Sequence, residues 1–136
     1  MTMPVTYDEA NAVIRAAHRH ASSQGISVSA AVVDEGGLLQ AAGRMDEASP
    51  ASLEVAISKA ANSAFARRNG EAFVTMQRER PANLEALSHF LPKHVIPGLG
   101  GVLLVRSNHV IGAVGVSGGT GEQDDSCARE ALRVLD

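Results

Sequence analysis

The feature that most constrains the fold is the stretch Val110–Asp125, in which an apolar run leads through a glycine-rich segment into a polar one. The apolar run is typical of a buried strand, but Gly112 and Gly115 interrupt it. A glycine inside a strand usually marks a bulge or the close approach of another backbone. We therefore predict a buried strand that turns sharply at residues 117–121 and leads directly into a helix.

The turn after this strand is a candidate anion-binding corner, formed by Gly118, Gly119, Thr120 and Gly121. Thr120 with Gln123 is a capping-box pattern, which predicts that a helix begins here. The first turn of a helix has free N–H groups and the positive end of the helix dipole, and both attract a carboxylate or phosphate. Alternatively, the glycines serve only to let the helix and the sheet pack closely.

Length, composition and charge limit the function classes. A chain of 136 residues is expected to form one domain, residues 1–136, and its 45% hydrophobic content is typical of a globular protein. A net charge of -3 and an aromatic content of 3% without Trp argue against nucleic acid as the main partner. The single cysteine, Cys127, excludes an intrachain disulfide. Neither a secretory signal nor a membrane-spanning apolar run is visible, so we expect a cytoplasmic protein without a membrane partner.

Capping signals and apolar periodicity predict three helices and two hairpins. Thr6 with Glu9 is a second capping box, and Ser49-Pro50 fits an N-cap followed by a proline at the first helical position. The predicted helices begin at Thr6, at about Ala51 and at Glu122, and end near Gly25, Arg68 and Leu135. The predicted strands are Val28–Val33, Leu38–Gly43, Val102–Arg106 and the run through Val116. This order indicates an α+β domain with an antiparallel sheet and helices on its faces.

Residues 71–99 are long for a connection between two elements. Ala72–Arg78 can form a helical turn and Pro81–Leu91 a short helix, while Asn69-Gly70 is read as the end of the helix before them. Long excursions in compact domains are often lids or binding loops. This segment is therefore a candidate for specialised function.

Four segments together resemble the GlcG/HbpS family, also called haem-degrading or domain of unknown function 336. They are Val32–Leu38, Arg44–Asp46, Ala56–Ala60 and Gly112–Asp124, and the resemblance covers nearly the whole chain except residues 71–99. The family includes the C-terminal domain of PduO-type cobalamin adenosyltransferases. The resemblance implies a profilin-like fold, in which helices flank a five-stranded antiparallel sheet. It also implies a homo-oligomer with ligand sites near subunit contacts, and some members bind haem or a corrinoid.

His18 resembles a helix-1 histidine that ligates haem iron in some relatives. A neutral imidazole is a sound axial ligand, so His18 is the candidate metal ligand. Alternatively, a lone histidine beside an apolar helical stripe has only a structural role. If haem is the cofactor, its carboxylates are expected at the Gly118–Gly121 corner and at Arg44, which can bind an anion bidentately or pair with Asp46.

The competing hypothesis is a cofactor-independent enzyme that acts on a small carbonyl or carboxylate metabolite. Histidine is the side chain best suited to acid–base catalysis near neutral pH, and Glu122 directly follows the glycine corner, so His89 or His94 with Glu122 is a candidate acid–base pair. Lys59, set among alanines, is a candidate to form a Schiff base with a substrate or to bind a substrate anion. Alternatively, its stem is buried and its amine reaches a carboxylate. A third hypothesis is a structural oligomer without a ligand; we place binding of a small-molecule ligand ahead of catalysis.

Overall fold

The structure, a computed structural model, describes residues 2–136 and contains five α-helices and four β-strands over that range. In chain order they are α1 (Tyr7–Ser23), β1 (Ser29–Asp34), β2 (Leu39–Arg44), α2 (Pro50–Ala66), α3 (Gly70–Glu79), α4 (Pro81–Ser88), β3 (Gly101–Arg106), β4 (His109–Ser117) and α5 (Gly121–Ala131). A 3-10 turn, Leu132–Leu135, follows α5. Within residues 2–136, no helix combines the length and apolar character needed to cross a bilayer.

The sheet is fully antiparallel, with the strand order β2-β1-β4-β3. Both predicted hairpins are confirmed, and β1 and β4 pair in its centre. The five-stranded sheet implied by the resemblance is wrong in number for residues 2–136, which form four strands. Two observations account for the difference. The long segment before β3 folds as helices, and the extended N-terminal residues make a backbone bond from Val5 N–H to the Ile111 carbonyl at 3.0 Å without forming a strand.

The predicted helix starts are confirmed by their caps. Thr6 and Glu9 form the complete capping box of α1, and Thr120 and Gln123 form that of α5. Ser49 accepts a hydrogen bond from the Ser52 N–H at the start of α2. Because each cap satisfies backbone donors that no turn of the helix can reach, it fixes where its helix begins.

The end of α2 differs from the prediction. The helix ends at Ala66, and Arg67 closes it in the left-handed region at φ 57°. Asn69 and Gly70, read as the stop, instead begin α3, with Asn69 at the N-cap position. The Asn69 side chain accepts a hydrogen bond from the Leu103 N–H at 2.8 Å, so its role is to join α3 to β3.

The segment 71–99 consists of α3, α4 and a loop that is fastened to α2. Its two helices share a small apolar cluster made of Phe73, Met76, Leu84 and Leu91. The buried side chain of Asn62 on α2 donates to the His94 carbonyl at 3.1 Å and accepts from the Lys93 N–H at 3.1 Å. This pair of bonds holds the loop against α2.

The helices cover the two faces of the sheet unequally. On one face, α1 and α5 pack on alternate strand residues, which include Val32, Val114, Val116, Val102 and Leu104. On the other face, α2 packs with small residues, Ala60, Ala61 and Ala64, against Val33 and Ala113. The larger apolar core therefore lies between the sheet and the α1–α5 pair.

The two strand glycines have the two roles that the sequence indicated. Gly112 borders a bulge, because the register with β3 shifts between Leu104 and Val105, which pair with Gly112 and Val110. Gly115 lies under α2, where a Cβ would overlap the Ala56 carbonyl. The helix backbone can therefore approach the sheet only because this position has no side chain.

We expect Gly115→Ala to destabilise the protein by about 3 kcal/mol or to prevent folding, since the added methyl group has no space and helix and sheet must separate. The measurement is urea-induced unfolding followed by circular dichroism. Gly36→Ala is the matched control, because the contact of its added Cβ would be Asp34 Oδ1 at 3.4 Å. Its effect is expected to stay within about 0.5 kcal/mol, and an equal loss in both variants would contradict the argument.

Candidate functional site

The most buried charges of the described chain form an ion pair between α2 and the first turn of α5. Lys59 Nζ lies 3.2 Å from Asp124 Oδ2, and the two side chains are 8% and 4% exposed. The same ammonium donates to the carbonyl of Val116, the penultimate residue of β4, at 2.9 Å. This pair thus joins a helix on one face of the sheet to the strand and the corner that follows it.

The glycine corner is already occupied by an anion of the protein itself. The Gly119 N–H donates to Asp124 Oδ1 at 2.8 Å, and the Thr120 N–H donates to Gln123 Oε1 at 2.9 Å. Gly118, at φ 138°, is fitted against the Ser27 carbonyl, which a Cβ would approach to 2.6 Å. The corner thus packs closely, as the alternative interpretation held. A ligand carboxylate here would have to compete with Asp124, and its binding stays a prediction.

Burial raises the pKa of Asp124 above its usual range, while the Lys59 ammonium and the Gly119 N–H oppose that rise. Because the folded state holds the proton more tightly than the unfolded state, the stability contributed by this group decreases as the pH rises through its folded pKa. Lys59 is therefore the partner that makes a charged Asp124 tolerable at neutral pH.

The sequence indicated the environment of Lys59 but not its partner. The alternative in which its stem is buried and its amine reaches a carboxylate is confirmed. By position alone, Asp124 and Asp125 both suit the helix dipole in the first turn of α5. The two carboxylates differ in that Asp125 pairs with the exposed Arg129 at 2.7 Å. The sequence signal that could have indicated an ion pair was the lone lysine in an alanine-rich helix. If such a lysine is buried, its ammonium needs a buried carboxylate from elsewhere in the chain.

His18 lies on α1, half-buried against the edge strand β2. Its Nε2 lies 3.1 Å from the Gly43 carbonyl oxygen, and a Cβ on Gly43 would come within 3.2 Å of its Cε1 atom. Burial lowers the pKa of His18, since it disfavours the charged imidazolium. His20, two residues on, instead bonds the Ser126 hydroxyl at 2.9 Å.

Arg44 follows Gly43 on β2 and has an exposed position, from which its guanidinium donates to the Ala48 carbonyl at 2.9 Å. It shares a row with Ser29 of β1 and Ser117 of β4, so it lies two strands from the glycine corner, about 10 Å away. Side chains alternate along a strand, so Arg44 and the Gly43 position that contacts His18 belong to opposite faces. The three predicted cofactor-binding elements therefore lie at one end of the sheet, with His18 on the α1 face and Arg44 on the α2 face.

His89 and His94 are both exposed and line an open groove of about 860 Å³ between α2 and the loop after α4. The carboxylate that lines this groove with them is Glu54, and Glu122 is not among its lining residues. The structure thus does not bring Glu122 to these histidines, and the acid–base hypothesis stays a prediction without structural support. Over residues 2–136, no cluster of three or more His, Cys, Asp or Glu side chains could hold a metal ion.

We expect Lys59→Met to destabilise the protein by about 3–5 kcal/mol at pH 7, because it leaves the Asp124 carboxylate buried without a counter-charge. The loss should shrink toward pH 4, since protonation of Asp124 removes the uncompensated charge. The measurement is urea unfolding at the two pH values.

The control is Arg133→Met, which removes an ion pair with Glu130 whose side chains are 77% and 41% exposed. Its loss should be about 1 kcal/mol or less. The double variant Lys59→Met/Asp124→Asn should be more stable than Lys59→Met alone. Equal losses in the two single variants would contradict a dominant buried pair.

Comparison with known proteins adds a family to this geometry. Residues 5–133 match the model of the family described as haem-degrading protein HbpS-like. The chain is 37% identical to protein GlcG of Escherichia coli strain K12 over 109 residues, which are 79% of this chain and 77% of that protein. Among the similar solved structures are two with TM-scores of 0.87 or more. ORFY of Klebsiella pneumoniae has a TM-score of 0.88 at 30% identity and covers 98% of this chain and 91% of its own.

The second is the structure of a PduOC–haem complex, with a TM-score of 0.87 at 27% identity over 98% of this chain and 96% of that chain. The match of the family model and the GlcG relative agree with the segments that carried the resemblance in the sequence, and the structural neighbours share the α+β arrangement. The chain therefore belongs to the GlcG/HbpS family.

Proposed function

We propose that this protein binds haem or a similar tetrapyrrole, with His18 as the residue that would bind the iron. The observation that carries the proposal is the half-buried His18 imidazole at the edge of the sheet, whose neutral form burial favours and which bonds the Gly43 carbonyl. The match to a haem-degrading family and the similarity to a PduOC–haem complex support the choice of ligand.

The chemistry of His18 fits an iron ligand. A carbonyl oxygen only accepts hydrogen bonds, so Nε2 carries the proton and Nδ1 holds the lone pair of the neutral ring. Ligation therefore uses Nδ1, or it uses Nε2 after the bond to Gly43 is released. In the first case the Gly43 carbonyl acts as the outer partner that orients a ligating histidine and increases its basicity.

The carboxylates of a tetrapyrrole have a candidate partner at the same end of the sheet as His18, across the edge strand β2 on its other face. Arg44 is exposed, and because a guanidinium has five donors, its bond to the Ala48 carbonyl leaves several free. The corner residues Gly118, Gly119, Thr120 and Gly121 lie two strands away, but Asp124 and Gln123 use two of their N–H groups. Arg44 is thus the stronger anion partner of the two elements.

A homo-oligomer completes the proposal, and its candidate contact is an exposed apolar area at the hairpin-turn end of the sheet, opposite the end that holds Arg44 and the glycine corner. Leu38, Leu39 and Phe65 are 70%, 53% and 52% exposed. Gly37 packs on the Ala61 carbonyl, one helical turn before Phe65, so the hairpin turn and the end of α2 lie close together. This exposed apolar area suits burial against a second copy.

The same proposal includes a profilin-like arrangement, which is supported by α1 and α5 packing together on one face of the sheet. It also includes a cytoplasmic location.

We expect a hemin titration of the wild-type protein, followed by absorption spectroscopy, to give a saturable Soret shift. His18→Ala should weaken binding by roughly tenfold or more, because it removes the iron ligand. His20→Ala is the matched control, since His20 contacts Ser126 instead of β2, and its titration should match wild type. A Soret shift that is unchanged in His18→Ala would rule out this ligand.

The pH dependence of the same titration follows from the lowered pKa of His18. A proton competes with iron for the ring near and below that pKa, so most of the fall in hemin affinity should lie below pH 6.5, at lower pH than for an ordinary histidine. Titrations at pH 8, 6.5 and 5 measure this. A fall mainly between pH 8 and 6.5 that is missing in His18→Ala would show that the ring is not kept neutral.

A further inference from the structure

A small cavity of about 10 Å³ lies between α2 and the backbone of residues 95–101. Its volume admits one oxygen-sized group. One side is polar, with Lys59, Asn62 and Ser63, and the other side is apolar, with Phe73 and residues 95–96. A space with these two sides is suited to the polar end of an amphipathic small molecule.

Ser63 supplies the first observation that points to a ligand. The residue is 1% exposed, yet its hydroxyl has no hydrogen-bond partner among residues 2–136. Buried hydroxyl groups are nearly always paired, so an unpaired one in a cavity wall calls for an oxygen or nitrogen atom in that cavity.

Lys59 supplies a second donor. Its ammonium has three protons, of which Val116 and Asp124 accept two, and its side chain lines the same cavity as Ser63. Asp124 already neutralises the charge of Lys59. The cavity therefore favours a neutral acceptor, such as an amide or alcohol oxygen, because a charged carboxylate would place a second anion beside Asp124.

The cavity shares part of its wall with a larger groove. Ser58, Val95 and Ile96 line both the cavity and the groove of about 860 Å³ that carries His89 and His94. Val95 and Ile96 belong to the loop that the Asn62 side chain fastens at residues 93–94. A molecule that lies in the groove with one end between α2 and this loop would contact residues of both spaces.

We propose that this cavity and groove form a second ligand site, which takes a small neutral molecule with an amide or hydroxyl oxygen and a short aliphatic chain. The oxygen binds within reach of Ser63 and Lys59, and the chain lies along Val95 and Ile96. The site is on the α2 face of the sheet, whereas His18 reaches β2 from the α1 face, so it does not depend on haem binding.

The test is a titration of the ¹⁵N-labelled full chain with propionamide and, separately, with propionate at pH 7, followed by amide chemical shifts. The two probes have the same shape and differ in charge. Propionamide should give saturable shifts at Ser63, Gly98 and Gly101, and propionate should bind at least tenfold more weakly. Equal binding of both probes, or shifts that do not saturate, would overturn the proposal.

Ser63→Ala should weaken propionamide binding at least tenfold, while Ser126→Ala, the same change at an exposed position, should leave it unchanged. Ser63→Ala should also fold normally, because the hydroxyl it removes has no partner among residues 2–136. Its urea midpoint, measured alongside, checks this. A folded Ser63→Ala variant that binds propionamide as well as wild type contradicts the site, whatever hemin does.

Discussion

The close approach of α2 to the sheet is the constraint on which the rest of the structure depends. Gly115 and Gly101 are paired neighbours on β4 and β3, and both lie under the α2 backbone. A Cβ on Gly101 would come 2.9 Å from the Lys59 carbonyl and 2.6 Å from Ser63 Oγ. Since helix and sheet normally stay apart by the size of their side chains, these two glycines lower α2 onto the strands. Lys59 is buried as a direct consequence.

The Lys59–Asp124 pair then fixes the position of the glycine corner relative to α2. Two buried charges lose hydration, and their attraction repays that loss only when hydrogen bonds complete the geometry. Val116 and Gly119 supply those bonds. The pair thus contributes little net free energy of unfolding, but it can form in only one position of the corner relative to α2. Any sliding of α2 along the sheet would leave a buried charge alone.

The parts of the fold that could be predicted from the sequence are those determined by residues close together in the chain. Thr6 with Glu9 and Thr120 with Gln123 are three residues apart, and both capping boxes formed. The roles of Gly112 and Gly115 were also predictable, since a glycine in an apolar strand usually marks a bulge or a closely approaching backbone. Gly70 was misread because the same residue type ends one helix and begins another, and the left-handed Arg67 that ends α2 has no sequence signal.

The candidate site depends on contacts between distant residues, and these could not be predicted. Lys59 and Asp124 are 65 positions apart, and the Asn62 bonds to the loop span 31 and 32 positions. Local patterns indicated that each residue was unusual without naming its partner.

The two faces of the sheet differ in chemistry, and this difference determines where ligands can bind. The α1–α5 face is a continuous apolar core, and the half-buried His18 meets Gly43 where this face reaches the edge strand β2. The α2 face is thinner and more polar: Ser52, Ser58, Asn62 and Ser63 are all buried on that one helix. Ser52 is satisfied by Ser29 at 2.8 Å and Asn62 by the loop, but Ser63 is not satisfied by any group within residues 2–136. Because α2 packs directly on the strand glycines, its side chains are small and leave the space beside the helix partly unfilled. The same requirement that brings α2 onto the sheet therefore leaves a polar cavity at its flank.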